Sequence, residues 1–393
     1  MKILVVHNTY QQPGGEDVVV RQEKQMLESF GHQVSLYERS NHEVELLSPL
    51  GRAAQFYRTI WSEKSRREFS RVLGVEKPEI VHVHNTFFMI SPSIYQACAD
   101  ADLPVVQTLH NFRLICPAAT LFRNGAVCEE CLDYGMWKGI GHGCYRESRA
   151  ATTVVAAMVL THRFLRTWAN RVTTFIALTE FASRKIASSG IPAEKIRVKP
   201  NFAHPDPATG APRQDFALFV GRLAPEKGGA LLIEAWKRLK DRIPLRIIGD
   251  GPERSRLEAL ASRYGLTDVH FEGRKSRDDA LAAMNEARFL VFPSVYYESF
   301  PVTLAESFAC GTPVVCCRLG AMAEIVEDGV TGLHASASDP NELADRASWA
   351  WSNPARMAEM GMAARMVYEG RYSQEKNYPM LMEIYRRALV NYD

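Results

Sequence analysis

Short apolar runs of three to five residues alternate with helix-length amphipathic stretches along the whole chain, a pattern that fits a parallel sheet covered by helices and few other architectures. A first series of predicted strands falls at Ile3 to Val6, Ile80 to Val83, Val105 to Leu109, Phe175 to Leu178 and Ile196 to Val198. A polar, proline-rich stretch from His204 to Pro212 then interrupts the pattern and reads as a linker, because it suits neither a helix nor a strand. The alternation resumes at Phe216 to Val220, Leu245 to Ile248, Val269 to Phe271, Phe289 to Phe292 and Val314 to Cys316. The expected architecture is therefore α/β, with two Rossmann-like parallel-sheet domains in tandem over residues 1–203 and 213–370, followed by a helical segment over 371–393. With 393 residues, 46% of them apolar, the chain can bury two cores. Open parallel sheets bind ligands beyond the carboxyl ends of their strands, so two facing sheets predict a substrate cleft between them.

The formal charge of +2 provides no overall basic field and argues against nucleic acid as a partner. The opening run Ile3-Leu4-Val5-Val6 is read as a buried strand rather than an export signal. No uncharged apolar run approaches the roughly 18 residues of a membrane span. The longest candidate runs from Ala150 to Thr161. A cytoplasmic protein is expected, with its eight cysteines reduced or bound to metal.

Motifs gather at predicted strand ends. Two glutamates with seven residues between them, Glu298 and Glu306, flank Ser299-Phe300-Pro301-Val302-Thr303, between a buried strand and a helix predicted to begin near Val302. The positive end of that helix favours an anionic ligand, and the carboxylates are spaced to bracket an extended one. Earlier, Gly221-Arg222-Leu223 and Lys227 place two cations just past a strand, where they suit a diphosphate. As an isolated pair they would read as a solvated turn. Gly249-Asp250-Gly251-Pro252 makes a tight turn into a helix, where backbone N–H groups can approach a nucleotide. Arg274, after Gly273, is placed to lie beside a base.

This order of signals resembles the family 4 glycosyltransferases, retaining enzymes of the GT-B architecture, over most of the chain. The resemblance extends to Gly311-Thr312-Pro313, to Gly329-Val330-Thr331-Gly332, to Pro13-Gly14-Gly15-Glu16 after the first strand and to His110 after the Leu109 strand end. It implies that Glu306 binds ribose hydroxyls and Glu298 hydroxyls of the transferred sugar, while Arg222 and Lys227 neutralise the diphosphate as charge builds on the leaving oxygen. His110 would meet the donor sugar, and Gly15 would let backbone approach phosphates or acceptor. Gly221, Gly249, Gly251, Arg274 and the run Ser299 to Thr303 complete the implied donor site. Pro301 stands where many relatives carry glycine and removes one backbone donor.

The implied reaction moves a hexose from a nucleotide diphosphate sugar, a UDP-sugar in preference to GDP-mannose, to a glycan or polyprenyl-diphosphate-linked acceptor in cell-surface polysaccharide assembly. Transfer itself needs no metal, since the two cations can neutralise the leaving diphosphate. The terminal helix is expected to pack back on the first domain. A nucleotide-sugar 2-epimerase or a non-catalytic binding protein are the alternatives.

Two further features stand apart from that chemistry. Cys116, Cys128, Cys131 and Cys144, within an insertion over residues 112–146, have spacing suited to a closed structural zinc site, with two disulfides or unligated thiols as alternatives. Cys98, Cys310, Cys316 and Cys317 lie in apolar surroundings and read as core residues. Basic-aromatic segments at Arg52 to Arg71 and Arg146 to Arg171 suit either an anionic membrane surface or an amphipathic helix packed on its own sheet. The resemblance favours peripheral attachment to the inner face of the cytoplasmic membrane.

Overall fold

The computed structural model describes residues 1–11, 14–207 and 209–392, and Pro13 and Ala208 of the segments above lie outside them. Contacts divide the chain into two units. Unit 1 contains Met1–Leu121, Cys128–Asn201 and Asn377–Asp393, and unit 2 contains Phe122–Val127 and Phe202–Lys376.

Unit 1 is built on β1 (Lys2–Thr9), β2 (Gln33–Ser40), β3 (Ile80–Val83) and β4 (Val105–Leu109). Next along the chain come the two-stranded hairpin β5 (Phe122–Arg123) and β6 (Ala126–Val127), which belongs to unit 2, and then β7 (Thr174–Ala177) and β8 (Ile196–Val198) of unit 1. Six of these strands form a parallel sheet in the order β2-β1-β3-β4-β7-β8. The interior strands are apolar on both faces because helices cover both sides, and β3, β4 and β7 are buried at every position.

Unit 2 contains β9 (Gln214–Val220), β10 (Leu245–Ile248), β11 (Val269–Gly273), β12 (Ala287–Phe292), β13 (Val314–Cys317) and β14 (Gly332–Ala335). Its parallel sheet runs β11-β10-β9-β12-β13-β14. Leu232, Ile233 and Trp236 of the helix Gly229–Trp236 pack with Phe219, Ile247 and Val291 of the sheet in one buried cluster. Strand order reverses beside β9, since the chain moves outward through β10 and β11 and then returns to lay β12 against the other edge of β9. At such a reversal the loops after the two central strands diverge and leave a crevice at their carboxyl ends. In unit 2 those loops carry Arg222 and Lys227 after β9 and Glu298 after β12. In unit 1 the corresponding reversal lies between β1 and β3.

Of the four edge strands, the sequence showed β8 and β11 and hid the other two. Neither β2 nor β14 was among the predicted strands. Every residue of β2 is at least partly exposed, so no continuous apolar run marks it. The two-residue strands of the hairpin are likewise too short to leave a pattern.

Candidate active site

In unit 2, two turns are tied together by hydrogen bonds. The turn after β9 continues through Pro225–Lys227 to Gly228, which has φ +72. A Cβ there would stand 1.8 Å from the Pro293 carbonyl oxygen, so only glycine lets this turn lie against the end of β12. Val295 N–H donates to the Glu226 carbonyl at 3.0 Å, and Ser294 Oγ lies 3.3 Å from the same oxygen. As a result, Lys227 Nζ sits 2.7 Å from Glu298 Oε1 across 71 residues of sequence.

Glu298 is buried, and two more donors complete its shell: Ser294 Oγ to Oε1 at 2.8 Å and Tyr296 Oη to Oε2 at 2.7 Å. Lys227 also donates to Tyr296 Oη at 3.3 Å. Burial disfavours the Lys227 ammonium, but Glu298 and Tyr296 outweigh it and raise its pKa above the ordinary lysine range. Arg222, by contrast, keeps its side chain 55% exposed and pairs with Glu226 at 3.0 Å. The two cations predicted as an equivalent pair therefore differ, one locked into the site and one reaching into solvent.

The turn after β10 closes the third side. Leu223 N–H donates to the Asp250 carbonyl and Glu253 N–H to the Leu223 carbonyl, at 2.9 and 3.0 Å. Gly249 has φ +151, and a Cβ on it would stand 1.9 Å from the Gly221 carbonyl oxygen. Gly221, Gly249 and Gly251 thus belong to one close backbone crossing, with Cβ of Gly251 blocked in the same way by the Leu223 carbonyl.

The helix after Glu298 spans Val302–Ala309, with Pro301 as its N-cap residue and Val302 and Thr303 in its first turn. Ser299 and Phe300 are buried beside it, and the Phe300 ring meets Tyr372 edge-on at 5.5 Å. Glu306 lies in that helix and takes both of its guanidinium contacts, from Arg277 Nε and Nη2 at 2.8 Å, on Oε1. Arg277 also donates to the His204 carbonyl. Burial pushes the Glu306 carboxyl upward, with Arg277 opposing. Arg274 is exposed.

Sequence reasoning missed Ser294, Tyr296 and Arg277. The first two carry a readable signal, since positions 294 and 296 lie within four residues of Glu298 in the sequence. Arg277 has none, because its partner lies 29 residues away.

Among the unit 1 candidates, His110 follows β4 and is half-buried, with Nε2 2.9 Å from His84 Nδ1. Gly15 opens the helix Gly15–Ser29, and no atom lies within 4 Å of a Cβ built on it. All eight cysteines are thiols, and Cys98, Cys310, Cys316 and Cys317 are buried as expected. Cys116, Cys128, Cys131 and Cys144 all lie in unit 1. Burial pushes the Cys131 thiol up to about 11, with Cys116, Cys144 and Cys128 adding to the rise. A Cβ on Gly139 would come within 3.1 Å of Cys131 Sγ.

The basic-aromatic segments are mixed in burial. Phe69, His162 and Trp168 are buried, whereas Phe56, Tyr57, Phe164 and Leu165 are exposed. Among the described residues no helix is long and apolar enough to cross a membrane.

Comparison with known proteins bears on the whole chain. Residues 13–206 match the family described as Glycosyltransferase Family 4, and residues 206–367 match Glycosyl transferases group 1. An uncharacterised glycosyltransferase of Methanocaldococcus jannaschii is 37% identical over 34% of this chain and 37% of its own length. The D-rhamnosyltransferase WbpZ of Pseudomonas aeruginosa is 34% identical over 40% of this chain and 41% of its own. The chain thus spans about two-fifths of the length of these curated relatives. Among solved structures, HepE of Anabaena in complex with UDP superposes over 98% of this chain and 100% of its own, at 18% identity and a TM-score of 0.69. That likeness establishes the fold.

Proposed function

We propose, for a chain made of a Glycosyltransferase Family 4 domain followed by a Glycosyl transferases group 1 domain, a retaining transfer of a hexose from a nucleotide diphosphate sugar. The acceptor in this reading is a glycan or polyprenyl-diphosphate-linked oligosaccharide of cell-surface polysaccharide assembly. The observation that carries it is the Lys227–Glu298 pair, completed by Ser294 and Tyr296, at the point where the strand order of unit 2 reverses.

The chemistry follows from charge placement. Arg222 and Lys227 face the diphosphate, whose outer β-phosphate oxygen gains negative charge as its bond to the sugar's anomeric carbon breaks. The acceptor oxygen bonds to that carbon on the same face, and its proton passes to the departing diphosphate, so the protein needs no carboxylate nucleophile. Glu298 accepts hydrogen bonds from hydroxyls of the transferred sugar. Arg277 occupies Glu306 Oε1, and in this reading Oε2 accepts from a ribose hydroxyl. A UDP donor is favoured over GDP-mannose, and the UDP bound to the Anabaena neighbour supports that preference.

Calorimetry with UDP and GDP, without divalent metal, tests the reading. One nucleotide should bind in the micromolar range, about −8 kcal/mol, and Glu306→Ala should abolish it. Because the raised Glu306 pKa leaves the acceptor-only form in place above it, affinity should weaken as the pH falls through that pKa. Binding of neither nucleotide, or full binding by the variant, would overturn the assignment.

The four-cysteine cluster supports a separate proposal, a structural zinc held by Cys116, Cys128, Cys131 and Cys144. Such a shell has no open position and would brace the insertion without entering the transfer. Metal analysis of purified protein should find about one zinc per chain, lost in a Cys128→Ser/Cys131→Ser variant. A metal content unchanged by that variant would exclude this ligand set.

A further inference from the structure

Unit 1 carries a buried polar cluster at the ends of β1, β3 and β4 that the transfer chemistry above does not use. Glu23, from the helix Gly15–Ser29, is at its centre. Its Oε1 lies 3.1 Å from His82 Nδ1 and 3.3 Å from His84 Nε2, and its Oε2 accepts from Lys199 Nζ at 3.0 Å. Lys199 donates again to Asn377 Oδ1 at 2.8 Å. His82 is held at both nitrogens, Nδ1 2.7 Å from Tyr385 Oη and Nε2 2.8 Å from Thr108 Oγ1. His84 continues outward, its Nδ1 2.9 Å from His110 Nε2 and the two rings stacked 5.2 Å apart. On its other side the His7 ring stands edge-on at 6.5 Å, with Nε2 2.9 Å from Asp17 Oδ1.

The spacing of Glu23, His82 and His84 would admit a cation. Lys199 already supplies that positive charge, and two like charges this close in a buried site repel by several kcal/mol. The cluster is therefore better understood by where its protons sit. Burial works against the Glu23 carboxylate, but Lys199 and His82 outweigh it and hold its pKa well below the usual range. Burial, with neighbouring histidines adding to it, takes His84 down to about 3 and His110 well below the ordinary imidazole range. At pH 7 both rings are neutral, each with one N–H and one lone pair.

Those charge states bear on the direction of the contact between His84 and His110. The Glu23 carboxylate can only accept, so His84 Nε2, which faces it, carries the hydrogen. Neither that nitrogen nor Glu23 Oε1 meets hydrogen-bond geometry with any partner among the described residues, so the hydrogen is set on Nε2 by its 3.3 Å approach to the carboxylate charge, which a lone pair there would repel. His84 Nδ1 is then a lone pair, and the hydrogen in its 2.9 Å contact belongs to His110 Nε2. What remains on His110 is an unprotonated Nδ1. His84 and His110 also line, with Asn111 and Arg113, a cavity of about 50 Å³, large enough for a hydroxyl group or a water and too small for a sugar ring.

We propose that Glu23 and His84 are positioning residues that hold His110 in its Nε2–H tautomer, so that Nδ1 accepts a hydrogen bond from a sugar hydroxyl and rejects a phosphate oxygen. This rests on the reading that His110 meets the sugar. The selection is chemical: a lone pair attracts a hydroxyl hydrogen and repels an anion's oxygen.

The test is a long-range proton–nitrogen spectrum of the full chain labelled with nitrogen-15 histidine, recorded at pH 7 and assigned with single-histidine variants. His110 should show a protonated Nε2 and a bare Nδ1. His84→Asn, whose side-chain oxygen can accept in place of Nδ1, should keep that pattern, and His84→Phe should give mixed tautomers. Because Glu23→Gln would strand Lys199, the His84 pair, which leaves that ion pair in place, is the primary test. A His110 protonated at Nδ1, or a wild-type pattern in His84→Phe, would overturn the proposal. In turnover of the nucleotide sugar, His84→Phe should lower kcat/KM about tenfold, the worth of one hydrogen bond, with His84→Asn restoring most of it. The predicted tautomer in a chain that turns over no nucleotide sugar would sink the transfer reading and uphold the positioning role.

Discussion

Lys227 and Arg222 are five residues apart in sequence and physically unlike. The Lys227 pair is largely withdrawn from water, with side chains 23% and 7% exposed for Lys227 and Glu298. Removing one partner of such a pair leaves an uncompensated charge, so Lys227→Met should cost about 2 kcal/mol or more after allowance for the exposed fraction. Lys227→Met/Glu298→Gln should recover much of that loss, because neither side chain is then charged. Arg222→Met breaks only a solvent-screened pair and should stay within about 0.5 kcal/mol of wild type. Urea midpoints of the four chains decide the matter, and equal midpoints for the two single variants would contradict the burial argument. Both cations were legible in the sequence as candidates. Their difference was not, because it depends on which carboxylate each one meets.

At the scale of elements, glycine positions separate folding from binding. Gly249 sits where the turn after β10 crosses the turn after β9, and the obstacle to a side chain is backbone on both sides. Gly249→Ala should therefore destabilise by on the order of 3 kcal/mol, measured as the shift in thermal midpoint. Gly15→Ala meets no atom within 4 Å at the first helical turn and should leave the midpoint within about 1 °C. A loss of nucleotide or acceptor binding in Gly15→Ala would then be due to the ligand's approach alone, whereas a lowered midpoint would show that the fold needs this glycine. Interior strands were equally plain in the sequence, and β3, β4 and β10 fall on their predicted bounds, as does the edge strand β8. Burial on both faces demands unbroken apolar runs there, a demand that edge strands such as β2 escape.

For the whole molecule, the end of the chain matters more than its position suggests. The terminal helix Gln374–Val390 gives unit 1 the side chains of Asn377 and Tyr385, which partner Lys199 and His82 in its interior. Deleting residues 377–393 would leave that buried ion pair and imidazole without those partners, each lost bond costing about 1–3 kcal/mol. The truncated chain should lose cooperative unfolding of unit 1 by circular dichroism. A truncated protein with an unchanged melting curve would show that the helix is dispensable.

By itself the sequence determined the alternation of strands and helices, the division into two α/β domains and the strand ends that carry polar motifs, because each is written in residues close together along the chain. The tertiary structure alone decided which of those residues meet. Lys227 reaches Glu298 through a strand-order reversal, Arg277 claims one oxygen of Glu306, and Glu23 lies beside His84, which meets His110. Such contacts join residues as many as 71 positions apart at Lys227–Glu298, where no local periodicity records them. Electrostatic and hydrogen-bond energies depend on ångström separations and burial, and those exist only once the sheets have formed.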